Sequence, residues 1–584
     1  MTDYAAPLAD IRFALDAQGG LDDVLRLPGA EDLSAELIDA ILEEAGRFAG
    51  EVLSPLNQPG DRQGCRMVDG SVVTPDGFRE AYGNFAAGGW VGLGAAPEYG
   101  GQGLPHLVSV AVSELWHGAN MAFALCPLLS QSAIAALTDH GSEEQKRHYL
   151  AKLISGEWTG TMNLTEPQAG SDVGALKTRA APEGDHYRIK GQKLFITYGD
   201  HDLAENIVHM VLARTPGAPD GVRGISLFLV PKFLVNDDGG LGAPNDLRCL
   251  SLEHKLGING SPTALMAYGE GEGALGTLVG AENSGIDCMF TMMNHARIAV
   301  GNEGLGIAER AYQGALAYAK ERVQGRRDGA PARIIQHPDV RRMLLSMKAR
   351  IAAVRGLIYY TAGALDGAER HPDQAERARC QATADLLTPV VKAWSTDVGV
   401  EVASTGIQIH GGMGFIEETG AAQHYRDARI APIYEGANGI QASDLLRRKL
   451  MRDEGAAARA LIGEMTALDE PLSRANHADM AAIRHSLSLG VAALGRATDW
   501  LVETHGRDPD LAAAGATPYL GLFGTVTGGW RMASAALAAL ADGDSARITG
   551  ARFYADQELS RASSMATIVT HGGTSVMALE EDQF

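Results

Sequence analysis

The chain has 584 residues, with 50 Lys and Arg against 72 Asp and Glu, a formal charge of −22. Hydrophobic residues make up 45% and charged residues 21%, which excludes a mainly disordered chain, and the length is ample for a large core in several domains. So acidic a composition disfavours nucleic acid or an anionic membrane as the main partner, and 71 glycines, about 12% against an average near 7%, are the one excess.

The start, Met1-Thr2-Asp3-Tyr4, has neither the basic, apolar character of a secretory signal nor the Arg-rich character of a transit peptide. No uninterrupted apolar run reaches membrane-spanning length, so a cytoplasmic setting is expected. Residues 35–156 carry helical apolar spacing, broken by the Gly-rich loop at 97–105. After Gly160 come short β-rich runs at 187–190, 194–197, 207–212 and 225–230, separated by turn clusters such as Pro216-Gly217-Ala218-Pro219-Asp220-Gly221. This reads as an antiparallel β domain.

Helical periodicity returns at Ile286 and holds to about Leu450, with breaks at 325–332 and 411–414. The Ala-rich remainder, 451–584, is helical again and breaks at Asp508-Pro509-Asp510. Strands and helices do not alternate, which disfavours a doubly wound parallel sheet. Gly-x-Gly-x-x-Gly after a strand, the phosphate-binding Gly-x-x-x-x-Gly-Lys-Ser/Thr and His-Glu-x-x-His are all missing, so a nucleotide cofactor must be held in another way. The five cysteines (Cys65, Cys126, Cys249, Cys288, Cys380) are odd in number and far apart, against a disulfide framework or a zinc cluster. Cys288 and Cys380 are expected as small core residues, and no metal site is expected.

Three clusters combine glycine with a few polar groups. In Leu164-Thr165-Glu166-Pro167-Gln168-Ala169-Gly170-Ser171-Asp172, the hydroxyls of Thr165 and Ser171 flank a turn and could face one ligand; a plain interdomain loop is the alternative. In Lys193-Leu194-Phe195-Ile196-Thr197-Tyr198-Gly199, strand alternation places Phe195 and Thr197 on one face, where an aromatic plane and a hydroxyl could meet a flat ring, or Phe195 simply joins the core. The third pairs residues 408–415 with Ile433-Tyr434-Glu435-Gly436-Ala437-Asn438-Gly439-Ile440-Gln441. Its glycines allow backbone to approach a phosphate. Glu435 follows the apolar Ile430-Ala431-Pro432-Ile433, and a desolvated carboxylate there would move toward the range of a general base, although a surface glutamate at a turn fits too. His410 reads as a hydrogen-bonded structural histidine, with no second His or Cys at metal spacing.

In this order the clusters resemble the acyl-CoA dehydrogenase family of flavoproteins. The resemblance spans residues 35–450 and rests on Thr165-Glu166-Pro167 with Gly170-Ser171-Asp172, Lys193 with Ile196-Thr197, Lys255-Leu256-Gly257, Arg322 with Gln324, Gln408 with Gly411-Gly412-Met413-Gly414-Phe415, and Tyr434-Glu435-Gly436. It implies a multidomain α+β fold: an N-terminal extension (1–34), an N-terminal α domain (35–159), a central antiparallel β domain (160–281) and a C-terminal four-helix bundle (282–450). An additional C-terminal helical domain (451–584) would follow. It further implies FAD, a homodimer, an acyl-CoA substrate and electron-transfer flavoprotein as acceptor. Met162, Leu164, Thr165, Phe195 and Thr197 would line the flavin, with Phe195 in place of a usual Trp. Arg322, Gln324, Gln408 and Gly412 would hold the adenosine and pyrophosphate of the partner subunit's FAD. Ser171, Asn294 and Arg297 would contact the CoA arm, Tyr434 and Gly436 would border the substrate, and Glu435 would be the catalytic base.

Departures from the pattern are Gly325, where the family usually has Phe, the extra residues 326–333, and Ala437 and Gly439, which lack side chains for FAD. The two extensions, with residues 434–441, resemble the branch of the family that acts on 3-(methylthio)propanoyl-CoA in dimethylsulfoniopropionate breakdown. Three other functions remain in view: a dehydrogenase of short- or medium-chain fatty acyl-CoA, an acyl-CoA oxidase, and a non-catalytic relative binding DNA through its last domain. Residues 451–584 hold 10 Arg, no Lys and 17 Asp and Glu, which weighs against DNA.

Overall fold

The computed structural model describes residues 4–584; Met1, Thr2 and Asp3, part of the expected N-terminal extension, lie outside the described residues. The chain divides into two compact units that are not consecutive segments: Arg47–Leu104 with Ala119–Ala299, and Met1–Gly46 with Pro105–Gly118 and Val300–Phe584.

Helix α1 (His106–His140), which belongs to the first unit from Ala119 on, breaks at Asn120, whose φ of −157° and ψ of 90° leave the helical region. The Asn120 carboxamide accepts from the Phe123 amide at 3.1 Å and so caps the second half. Helix α1 is long and apolar enough by composition to cross a membrane, with a window of mean hydropathy 1.6, which corrects the expectation from sequence. That window is 83% buried within the protein, as in a core helix.

The same unit carries an eight-stranded sheet: β1 (Trp158–Asn163), β2 (Arg179–Glu183), β3 (His186–Thr197), β4 (Asn206–Ala213), β5 (Ser226–Pro231), β6 (Leu247–Leu252), β7 (Thr263–Tyr268) and β8 (Ala274–Val279). Its order is β6-β7-β3-β8-β5-β4-β1, with β2 against β3. All pairs are antiparallel except β1 with β4, which run parallel in the register Trp158–Asn206 to Asn163–Val211. A parallel pair needs a long crossover, and the chain uses β2 and β3 as that connection. Strands β1, β4 and β5 are buried along their whole length, so they read as continuous rather than alternating apolar runs. Ile189, Ile196, Val211, Phe228, Val230 and Met266 form the core of the sheet.

In the second unit the long helices are α2 (Gly285–Glu321, here from Val300), α3 (Pro338–Arg370) and α4 (Gln374–His410). A fourth arm is divided into α5 (Ala421–Ala428) and α6 (Asn438–Asp444), and the residues between them carry Glu435. Arg355 of α3 is buried and bonds Glu114 at 2.6 Å and Glu309 at 3.1 Å, while the Tyr359 hydroxyl donates to Glu114 at 2.7 Å. Residues 451–584 form further helices, chiefly α7 (Ala478–His505), α8 (Ala516–Asp542), α9 (Ser545–Gln557) and α10 (Ala562–His571). The N-terminal segment is tied in by reciprocal bonds of Gln18 with Arg531 (3.0 and 2.9 Å) and of Ala5 with Gln313 (3.1 and 2.8 Å). Arg531 also lies over the rings of Trp530 and Tyr360, at 4.5 and 4.8 Å from their centroids.

Helix α8 meets α4 through glycine. A Cβ at Gly524 would collide with the Trp394 ring, and one at Gly528 would lie 2.7 Å from the far edge of the same indole. Gly524→Val is therefore expected to destabilise the protein by about 1–3 kcal/mol through overpacking, read as a lowered thermal midpoint; an unchanged midpoint would show that this contact does not constrain the fold.

Candidate functional site

The β unit places its expected residues around one buried ion pair. Lys193 of β3 is fully buried, and its ammonium donates to Glu166 Oε1 at 2.9 Å and to the Leu164 carbonyl at 3.0 Å. Glu166 also accepts from the Thr178 hydroxyl (2.6 Å) and amide (3.0 Å), the Lys177 amide (2.7 Å) and Gln168 (2.6 Å). Burial alone would raise the Glu166 carboxyl, but Lys193 and these donors outweigh it and hold it at about 2. Burial pulls Lys193 down to about 8 against the attraction of Glu166, so the pair is ionic at neutral pH. Desolvation of the lysine offsets the Coulomb attraction, and the pair acts chiefly as a geometric clamp. With the Leu194 amide donating to the Thr165 carbonyl at 2.8 Å, it fixes the chain just after β1, where Met162 is buried and Leu164 and Thr165 are half-buried.

The simple alternation expected for Phe195 and Thr197 does not hold. Lys193 pairs with Met266 and Ile196 with Ala264, so three steps on β3 face two on β7. The extra residue is a β-bulge. Phe195 within it has φ +62° and is 58% exposed, while Ile196 turns into the core. A left-handed backbone is costly for a bulky residue, on the order of 1–3 kcal/mol, and this one turns an aromatic ring outward. Thr197 is half-buried, its carbonyl accepting from the Thr161 hydroxyl at 2.7 Å. An outward aromatic ring at a strand end, two residues before the half-buried Thr197, fits a flat, polar-edged ring such as a flavin. Of the expected CoA contacts, Ser171 and Asn294 are exposed; Arg297 is 4% exposed and reaches Asn294 Oδ1 at 3.5 Å.

In the helical unit Glu435 is half-buried at a turn, with φ +53°, followed by Gly436 at φ +84°. The turn is held from both sides. Gln441 donates to the carbonyls of Glu435 (3.2 Å) and Gly436 (3.1 Å). Asn438 bonds α4 through the Ala393 carbonyl (3.0 Å) and Lys392 (3.0 Å). On the other side, the Tyr434 hydroxyl lies 2.6 Å from each oxygen of Glu303, a residue absent from the expected site. Burial pushes Glu303 up to about 8, with the nearby Glu435 charge adding to that and Tyr434 and Lys392 opposing it. The available signal was a glutamate inside the small and apolar run Ile298-Ala299-Val300-Gly301-Asn302-Glu303-Gly304-Leu305.

The remaining expected residues lie at the far ends of α2 and α4. Arg322 and Gln324 are exposed where α2 passes into a hairpin of Val323–Arg327 with Ala330–Arg333. Gln408 and Gly412 are exposed around the C-terminus of α4. Tyr318 and His410 stack at 4.6 Å and 30°, joining the two helix ends, and His410 Nδ1 bonds the Gly406 carbonyl at 2.7 Å, the structural role expected for it. A cavity of about 390 Å³ adjoins them, lined by Arg310, Tyr318, His410, Met413 and His424 among others. An open guanidinium with two exposed amides suits a pyrophosphate and a nucleoside.

Four family models match the chain: acyl-CoA dehydrogenase N-terminal domain (36–157), middle domain (161–268) and C-terminal domain (283–450), and an acetyl-CoA dehydrogenase C-terminal-like domain (460–580). A 3-methylmercaptopropionyl-CoA dehydrogenase from Ruegeria pomeroyi is 49% identical over 98% of this chain and 99% of its own length. A butyryl-CoA dehydrogenase from Syntrophomonas wolfei is 37% identical over 79% of this chain and 78% of its own. Among solved structures, an acyl-CoA dehydrogenase complexed with FAD from Bacillus anthracis has the same fold, with a TM-score of 0.75 at 21% identity over 96% of this chain and 91% of that one.

Removing the ammonium by Lys193→Met leaves Glu166 buried without its cation. The expected cost is about 3–5 kcal/mol, with lower flavin content in the purified protein. A variant with native melting temperature and flavin content would show that the clamp is dispensable.

Proposed function

The chain belongs to the acyl-CoA dehydrogenase family and is an acyl-CoA dehydrogenase; we propose that it converts 3-(methylthio)propanoyl-CoA to 3-(methylthio)acryloyl-CoA, a step of dimethylsulfoniopropionate breakdown. The observation that carries the chemistry is the Glu435 turn, with its carboxylate on a left-handed backbone pinned by Gln441 and Tyr434. The thioether substrate is supported by the Ruegeria relative, whose likeness extends through both extensions.

Glu435 removes the proton α to the thioester carbonyl. That proton is acidified when the carbonyl oxygen receives hydrogen bonds, one of them from the Glu435 amide itself. FAD, the cofactor of the family, supplies the electron chemistry when bound, accepting the β-hydrogen as hydride. In the β unit Thr165, Phe195 and Thr197 would hold its ring, and in the helical unit Arg322, Gln324, Gln408 and Gly412 would hold the adenosine and pyrophosphate from a second subunit. Lys193 and Glu166 would keep the ring-facing strand ends in place. Ser171, Asn294 and Arg297 would meet the CoA arm, and Tyr434 and Gly436 the acyl end. Electrons would leave to electron-transfer flavoprotein, with the enzyme a cytoplasmic homodimer.

A straight-chain short acyl-CoA is the second reading, favoured by the butyryl-CoA dehydrogenase likeness and by the similar size of a thioether and a methylene. Specificity constants for 3-(methylthio)propanoyl-CoA against straight C4 to C8 acyl-CoAs separate the two, the thioether being expected to lead. Glu435→Gln is expected to retain FAD and lose flavin bleaching by substrate; normal bleaching would reject the base. Arg322→Ala is expected to lower FAD occupancy, and full occupancy would remove Arg322 from the cofactor site.

A further inference from the structure

Glu303 lies at the middle of α2, is wholly buried and has Tyr434 as its bonded partner. Its dry surroundings come from the approach of two backbones. A Cβ at Gly399 of α4 would lie 2.7 Å from the Gly304 carbonyl oxygen, and one at Gly301 would lie 2.6 Å from Val391. Around the carboxyl are Lys392 of α4 and Tyr434 and Glu435 of the turn. The start of α1 meets this turn of α2 through uncharged groups, the Val110 carbonyl and the Ser113 hydroxyl, both at Asn302.

Both carboxyl oxygens of Glu303 lie 2.6 Å from one phenol oxygen. A phenol has one hydrogen to donate, which an anionic carboxylate would have to share between its two oxygens, whereas a neutral acid gives each contact its own hydrogen. The neutral form fits the two equal contacts, the second hydrogen being the carboxyl's own proton. Tyr434 donates to one oxygen of Glu303 and accepts from the other, and its own ionisation is pushed well up by burial and by the two carboxyl groups. Glu303 as an anion would stand in a dry site beside the charge of Glu435, and the attraction of Lys392 does not offset that burial.

We propose that Glu303 is a positioning residue for the base: a neutral carboxylic acid that, through Tyr434, holds Glu435 in its left-handed turn without adding a second negative charge. This rests on Glu435 being the base, and it extends that reading to a residue that need never touch the substrate.

The test compares Glu303→Ala and Glu303→Gln in the flavin-loaded enzyme. Glu303→Ala is expected to lower kcat on the order of 10- to 100-fold with KM for acyl-CoA little moved, since the base is displaced while CoA binding is not. Glu303→Gln, whose amide also offers one donor and one acceptor, is expected to restore most of that loss. The fall of wild-type kcat above about pH 8, as Glu303 ionises, should be missing from Glu303→Gln. Wild-type kcat in Glu303→Ala, or a Glu303→Gln as impaired as Glu303→Ala, would overturn the proposal, the latter by requiring the anion. A readout independent of turnover is the infrared carbonyl band of a protonated carboxyl at pH 7, expected in the wild type and lost in Glu303→Gln. Its absence from the wild type would also overturn the proposal. A wild-type enzyme that no acyl-CoA bleaches would instead reject the functional reading, with the infrared band still reporting on Glu303.

Discussion

A lysine taken wholly out of water must find acceptors for its ammonium, and in the β unit that requirement organises the strand ends around Leu164 and Glu166. Lys193 reaches back to the Leu164 carbonyl and sideways to Glu166, whose oxygens in turn gather donors from 168, 177 and 178. One side chain thereby binds the end of β1 to β3 and closes the turn between them. Such a pair contributes little net stability once desolvation is counted. Its contribution is to leave few alternative arrangements for the strand ends, a condition for holding a flat cofactor.

The helical unit follows the same logic with different groups. Arg355 draws together Glu114 and Glu309 from two other helices, and the pair of Glu303 and Tyr434 links α2 to the turn that carries Glu435. These interactions use polar groups where hydrocarbon would pack as well. Direction separates them: a methyl group does not specify the angle at which a neighbouring loop must leave a helix, and a hydrogen bond does.

The order of helical and β segments and the turn at Glu435 were legible in the sequence because each depends on local pattern. Several features were not. The β-bulge at Phe195 depends on the register between β3 and β7, strands whose paired residues lie some seventy positions apart, so alternation read on β3 alone misplaces the ring. The parallel pairing of β1 with β4 is likewise set across the sheet. Glu303 was visible as an acidic residue in a small, apolar run, but its meaning required Tyr434, 131 positions away. Local spacing reveals which residue types are present; pairing across the fold decides what they do.

The glycines of α8 against Trp394 bear on how the last 130 or so residues relate to the rest. Trp394 sits on α4 next to Ala393, whose carbonyl holds Asn438, and two residues before Thr396, whose hydroxyl bonds the same side chain. A protein cut at Leu450 would turn that indole toward water within one helical turn of the groups that hold Asn438. The C-terminal helices therefore back the α4 segment that holds Asn438, and their loss would be felt first as a loosened 434–438 turn rather than as a missing binding module.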